Sequence, residues 1–314
     1  MNEVSTDMVR ITEDQIRGAA KAGVRAAGLP ATRVSNRGAG YYHSSGTTWD
    51  VKTDSSCGYG GTGWELASPA MVMDENAECA ELREVCNAVK ALGPRIDKKC
   101  GLHVHVEVRD YTHDDLRRLL ILWARYEPFF FELCPPSRST SAHARTYCPP
   151  IRKATWADSD SGHWSRLEIG LNEQVMPHSE GRFQSTMSHA PRGAVNLAHF
   201  WTGKRIEFRL AAGTIEYEKI QRWAQVLLAL VARAKHPTMP VATPGAWSNT
   251  SFSVRYIAKM LGLAASQHMP ASEVSPESEK LIAWMEARRA QFAPRGTNAI
   301  DTAVARGYSA DGGR

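Results

Sequence analysis

Residues Cys100 to Val108 read Cys-Gly-Leu-His-Val-His-Val-Glu-Val, an unbroken alternation from Leu102 onward. A strand sends successive side chains to opposite faces. Leu102, Val104, Val106 and Val108 therefore form one aliphatic layer, while His103, His105 and Glu107 form a polar row behind it. Two imidazoles and a carboxylate in a row can hold a divalent metal or charged phosphates. A strand face that meets only solvent more usually carries Thr, Lys or Ser.

Arg205 to Ala211 repeats the pattern, with Ile206, Phe208 and Leu210 apolar and Glu207 and Arg209 opposite. A shorter piece, Gly63 to Pro69, sets Glu65 between Trp64 and Leu66. Singly, each has a bland explanation: a His-x-His pair is often structural, and a Glu-x-Arg pair is often a cross-strand ion pair. Together they describe a different object. If the three strands line one sheet, they bring two carboxylates, two imidazoles and an arginine to one place. Carboxylates with water hold Mg²⁺, and Arg grips phosphate oxygens bidentately.

The remaining composition narrows the class. The 314 residues, 23% charged and 43% hydrophobic, suit a soluble globular protein with one large core or two smaller ones. No apolar run approaches the roughly 18 residues that span a membrane, and Met1 to Arg10 lacks a signal-peptide pattern. A cytoplasmic location is the expectation. A net charge of +5 spread along the chain suits anionic substrates such as nucleotides and is too diffuse to argue for nucleic acid, so no nucleic-acid partner is expected. The six cysteines contain no Cys-x-x-Cys pair, which excludes a zinc ribbon and a thioredoxin motif, and all six read as reduced thiols.

Helical periodicity predicts helices over Ile11–Leu29 (capped by Thr12), Glu78–Leu92, Asp115–Leu133 (capped from Thr112), Tyr217–Ala234, Val254–Leu263 and Glu277–Phe292. Ser137 to Pro177 is irregular, and a length of that kind is usually functional or disordered. Strands with polar faces, joined by long connections, are unlike the continuous Val/Ile runs of a doubly wound parallel sheet. The expected class is α+β: an antiparallel sheet with helices on one face and the other open to ligand. Residues 1–235 are expected to form the catalytic domain, 236–295 a helical extension, and 296–314 a disordered tail.

Several pieces in order carry a resemblance. They are Trp49-x-Val51-Lys52-x-Asp54-x-Ser56, Glu65-Leu66-x-Ser68-Pro69, and Gly101-Leu102-His103-Val104-His105-Val106. Arg145-x-Tyr147-Cys148, Arg192 to Asn196-Leu197, Ile206-Glu207-Phe208-Arg209 with Gly213-Thr214, and Trp223 follow. Over residues 1 to about 235 the chain resembles the amidoligase family, a branch of the glutamine synthetase and glutamate–cysteine ligase superfamily of carboxylate–amine ligases. The resemblance implies a half-open antiparallel barrel. It implies ATP as co-substrate, Mg²⁺ or Mn²⁺ as cofactor, and amide-bond formation between small-molecule or peptide carboxylates and amines through an acyl phosphate. Glu65, His103 and Glu207 would be metal ligands. Asp54 would orient or deprotonate the amine, and Arg209 would stabilise the transferred phosphoryl group. His105, Arg145, Tyr147, Arg192 and Asn196 would bind nucleotide or substrate.

One departure stands out. The superfamily opens with a Gly-x-Glu-x-Glu strand, and here only Glu3-Val4 precedes the first helix. Weakened activity and self-association are the corresponding expectations. Two other functions compete: a metal-dependent hydrolase built on His103 and His105, and a degenerate ligase fold kept for binding. Cupin spacing fits poorly, since Glu107 follows His105 by only two residues. The amidohydrolase pattern also fits poorly, since about a hundred residues precede the His-x-His.

Overall fold

The computed structural model describes residues 11–38, 46–55, 57, 63–73, 78–140, 193–197, 199–236, 252–266 and 274–292. The chain divides into two compact units, Met1–Cys100 with Gly213–Gln221, and Gly101–Ala212 with Arg222–Arg314. Helices and small antiparallel sheets are mixed, and the described strands close no barrel.

In the first unit, helix α1 (Glu13–Ala26) starts where Thr12 accepts from the Gln15 amide and Gln15 answers the Thr12 N–H, a capping box that satisfies two end donors at once. Its buried stripe of Ala20 and Val24 packs on Leu82, Val85, Cys86 and Val89 of α2 (Ala80–Lys90), with Val34 and Trp49 in the same cluster. A Cβ at Gly23 would lie 2.5 Å from the Val85 Cα, so glycine sets how closely the two helices approach. Strands β1 (Asp50–Asp54) and β2 (Gly63–Ala67) pair antiparallel with Lys52 opposite Glu65 and Asp54 opposite Gly63.

The second unit is built on β3 (Val104–Glu107), β4 (Val195–Asn196) and β5 (Arg205–Phe208), in the order β3-β5-β4 and antiparallel throughout. Val104 and Val195 both face Phe208 across the ladders, and Val106 faces Ile206. This apolar side enters a core with α3 (His113–Glu132), whose Trp123 ring lies 5.4 Å from Phe208 and stacks on Phe130 at 4.7 Å. Fully burying a residue such as Phe208 is worth about 1.5–3 kcal/mol. Thr112 and Asp115 form a second capping box at the start of α3.

Two single-turn helices lie between these strands in sequence, α4 (Ser137–Thr140) ahead of β4 and α5 (Phe200–Gly203) between β4 and β5. Helix α6 (Tyr217–Lys235) begins in the first unit and continues in the second. There it is tied to the α3 region: the Tyr111 hydroxyl donates to the Val231 carbonyl at 2.6 Å and Arg118 Nε to the Ala234 carbonyl at 2.7 Å. Helices α7 (Val254–Met260) and α8 (Ser278–Phe292) bury Ile257, Ala258, Leu281, Ile282 and Met285 in the same core. No helix among the described residues is long and apolar enough to cross a membrane.

All six expected helices are present, each within a few residues of its expected ends. The single sheet is not. Among the described residues, Glu65 stands in a two-stranded sheet, while the strands around His103 and Glu207 form a separate three-stranded one.

Candidate active site

The alternation of β3 places His105 directly opposite Glu207, and Asn196 on β4 faces Glu207 from its other edge. With one face committed to the core, these three share the opposite face by register alone. Glu207 is only 5% exposed although it lies on the polar side. Arg209 Nη1 bonds Oε1, Asn196 Nδ2 donates to Oε2 at 2.8 Å, and His103 Nδ1 lies 3.3 Å from Oε1. His105 Nε2 is 3.8 Å from that oxygen, and the His199 ring lies 6.2 Å from the His105 ring. Glu107, at the outer end of the row, instead pairs with Arg109 in solvent.

This geometry settles two protonation states. Burial would raise the Glu207 carboxyl, but Arg209, the neighbouring imidazoles and the Asn196 amide outweigh it and keep the group ionised. Burial and the Arg209 guanidinium, with smaller contributions from His105 and Arg138, push His103 down to about 4 against the opposing pull of Glu207. His103 is thus a neutral imidazole at neutral pH, able to accept a proton or ligate a cation.

A local irregularity shapes the site. Val104 pairs with Phe208, but the next bridge joins Gly101 to Ala212. Leu102 and His103 therefore span the same gap as Arg209, Leu210 and Ala211, which makes a β-bulge on the β5 side. The bulge turns the Arg209 and Leu210 carbonyls away from the ladder. Arg138, 4% exposed, takes both: Nε donates to the Leu210 carbonyl at 2.8 Å and Nη2 to the Arg209 carbonyl at 2.9 Å. Gly101 matters here too, since a Cβ would come within 3.0 Å of His103 Nε2.

A model of the family described as "Putative amidoligase enzyme" matches residues 13–231, which include the five strands found among the described residues. The chain belongs to the amidoligase family. No curated protein and no solved structure gives a match. As a member of an enzyme family named for amide-bond formation, this amidoligase has its candidate residues on two polar faces. His103, His105, Asn196, Glu207 and Arg209 are brought together in the second unit. Asp54 and Glu65 lie on one face of β1–β2 in the first, where Glu65 pairs with Lys52 at 2.9 Å. Arg145, Tyr147 and Arg192 lie outside the described residues.

Arg138 and His199 escaped the sequence reading. Arg138 follows Pro135-Pro136 in a stretch without periodicity, and its role depends on a bulge that only strand pairing reveals. His199 sits beside a single-turn helix with no pattern of its own.

The donor set limits how a metal could bind. Among the described residues no group of three or more His, Cys, Asp or Glu side chains is arranged to hold one. Mg²⁺, however, usually takes one or two protein carboxylates and completes its shell with water and substrate phosphates. A carboxylate has about four lone-pair sites, so an ionised Glu207 beside the neutral His103 suits such a partial role.

Proposed function

We propose that this amidoligase is an ATP-dependent carboxylate–amine ligase that activates a carboxylate as an acyl phosphate and transfers the acyl group to an amine. The observation carrying the proposal is the buried, ionised Glu207 held between Arg209 and Asn196 beside a neutral His103, in a chain of the amidoligase family.

The step itself balances simply. A substrate carboxylate oxygen attacks the γ-phosphorus of ATP, the bond to the β-phosphate oxygen breaks, and ADP leaves. The amine nitrogen then attacks the acyl carbon, phosphate departs, and the nitrogen loses a proton.

This chain's residues do specific parts of that work. The Glu207 ion pair fixes the direction of the Arg209 guanidinium, and a guanidinium's five donors can hold a carboxylate and a phosphoryl oxygen together. Stabilisation of that kind acts where charge develops in transfer. Arg138 fixes the Arg209 backbone from beneath. His105, 41% exposed, is proposed to meet nucleotide phosphate, and Asn196 to meet substrate. Glu207 and His103 would hold Mg²⁺ or Mn²⁺, which neutralises phosphate charge when bound. Glu65 as a further ligand and Asp54 as the group that receives the amine proton take those roles from the family pattern. Arg145, Tyr147 and Arg192 are proposed as substrate or phosphate contacts on the same basis.

We extend the proposal to membership of the glutamine synthetase and glutamate–cysteine ligase superfamily and its fold. Residues 1–235 would be the catalytic domain, with 236–295 its helical extension and 296–314 a tail.

The test is an ADP-release screen over small and peptide carboxylates paired with amines, with and without Mg²⁺. Turnover that requires one carboxylate and one amine supports the ligase. ATP hydrolysis indifferent to both, or none with any pair, would overturn it.

A further inference from the structure

Two buried acids of the second unit each have an arginine: Glu207 has Arg209, and Glu132, 1% exposed, pairs with Arg289 at 2.7 Å. Arg233, only 4% exposed near the end of α6, has no such counterpart. Its Nε donates to the Met260 carbonyl in the last turn of α7 at 3.0 Å. Its buried Nη1 has no hydrogen-bond partner, and no carboxylate among the described residues pairs with it. Acids on the neighbouring helices are engaged elsewhere: Glu127 accepts from Trp123 Nε1 at 2.8 Å, and Glu279 pairs with Arg255 at 2.7 Å.

A second orphaned group stands on the same side of α7. Tyr126 of α3 is fully buried, and its hydroxyl makes no hydrogen bond of ordinary geometry. Its ring meets Phe252 edge-on at 5.0 Å and Tyr256 at 6.3 Å. Tyr256 and Met260 are one turn apart on α7, so the ring that Tyr126 meets and the carbonyl that Arg233 meets share one helix face. Arg125, itself exposed, brings a second guanidinium to 5.7 Å from the centre of the Tyr126 ring. Burial lowers the Arg233 guanidinium from its ordinary value, and the opposing influence is Tyr126. An arginine keeps its charge in a protein all the same. A buried charge without a partner is among the costliest features a fold can carry.

We propose that Arg233 and the Tyr126 hydroxyl hold a small oxyanion, a phosphate or carboxylate group, between α3, α6 and α7. Arg233 supplies a charged donor through Nη1 and Tyr126 a neutral one, while Arg233 Nε stays on the Met260 carbonyl. Both orphaned groups can donate, which selects an acceptor-rich, negatively charged ligand. Tyr256, 39% exposed beside Tyr126, marks the side open to solvent. The family match ends at residue 231, so the site joins the matched region to the helical extension beyond it. The proposal does not depend on ligase activity.

The experiment follows urea unfolding of the full chain across a concentration series of inorganic phosphate, acetate and chloride. Above its dissociation constant, a bound anion raises the folding equilibrium constant in proportion to its concentration, so a tenfold step in phosphate or acetate should raise it about tenfold. Arg233→Met should abolish that rise, whatever it does to stability without anion. Tyr126→Phe keeps the ring and its packing, and should need several-fold more anion for the same effect. General salt effects and anion binding at the Glu207–Arg209 face persist in both variants, so the difference between chains carries the result. A response to phosphate or to acetate supports the proposal and says which oxyanion is preferred, while an equal response to chloride would overturn the oxyanion assignment. If Arg233→Met does not fold, Tyr126→Phe against the unsubstituted chain makes the same comparison. Anion dependence identical in all chains, or none in the unsubstituted chain, would overturn the proposal.

Discussion

The two sheets each set a carboxylate beside a cation on a polar face, and they differ in what surrounds the pair. Lys52 and Glu65 meet across β1–β2 with the Glu65 side chain 46% exposed. Glu207 and Arg209 meet on the β3–β5–β4 sheet with side chains 6% and 11% exposed, crowded by Asn196 and two imidazoles. An exposed pair contributes about 0–1 kcal/mol and is screened by salt. A buried pair leaves a costly unpaired charge when one partner is removed. The two pairs are thus held differently, and the buried one has the fixed geometry that the proposed phosphoryl chemistry would need.

Substitutions on the two faces would break or sharpen this contrast. The largest expected effect is that of Glu207→Ala, which takes the carboxylate partner from the Arg209 guanidinium at a cost of about 3–5 kcal/mol. A urea melt reads it, and a loss below about 1 kcal/mol would place the pair with its exposed counterpart. Next is Arg138→Met, which removes the donors to two buried carbonyls at a cost of about 2–4 kcal/mol. The same change should lower ligase turnover, since the Arg209 backbone loses its support. Gly101→Ala should follow, at no more than about 1 kcal/mol, because its Cβ would lie 3.0 Å from the tip of the His103 ring at an exposed position where that ring can shift. Smallest is Lys52→Met, expected to change stability by less than about 1 kcal/mol and the effect to shrink further in high salt.

The pH dependence separates the faces in another way. The His103 imidazole has a folded pKa pulled from its ordinary value near 6.5 to about 4. As pH falls below 6.5, the unfolded chain takes up a proton that the folded chain refuses until about 4. Stability should therefore fall across that window and level off below it as far as this group is concerned. Glu207, whose folded pKa is also lowered, adds a loss below its ordinary value of 4.5. The ring is 34% exposed, so the slope is expected to be modest. Melts of the unsubstituted chain and of His103→Gln between pH 7 and 4 should show a shallower fall in the variant. Parallel curves would mean that the imidazole is ordinary.

What could be read in the sequence is what depends on local periodicity. The 100–108 alternation carried its register into β3, and Thr12 and Thr112 marked two helix starts through their capping boxes. The pairing of His105 and Asn196 with Glu207 was not legible, because register between distant strands is set by the whole core. Nor was the bulge, which arises where the β3–β5 ladder shifts between Phe208 and Ala212, and with it the burial of Arg138. The expected union of Glu65 with His103 and Glu207 rested on assigning three similar strands to one sheet. Alternation says which face a residue takes, and it says nothing about which sheet.

The central claim, that the Glu207–Arg209 face activates a carboxylate, is tested most directly by hydroxylamine trapping. The unsubstituted chain with ATP, Mg²⁺ and the carboxylate found in the ADP screen should yield a hydroxamate. Glu207→Gln, of nearly the same shape and checked for folding by circular dichroism, should lower the yield by about 10²–10³-fold, the scale on which preorganised charge stabilisation acts. A folded Glu207→Gln variant that traps as much hydroxamate as the unsubstituted chain would contradict the account.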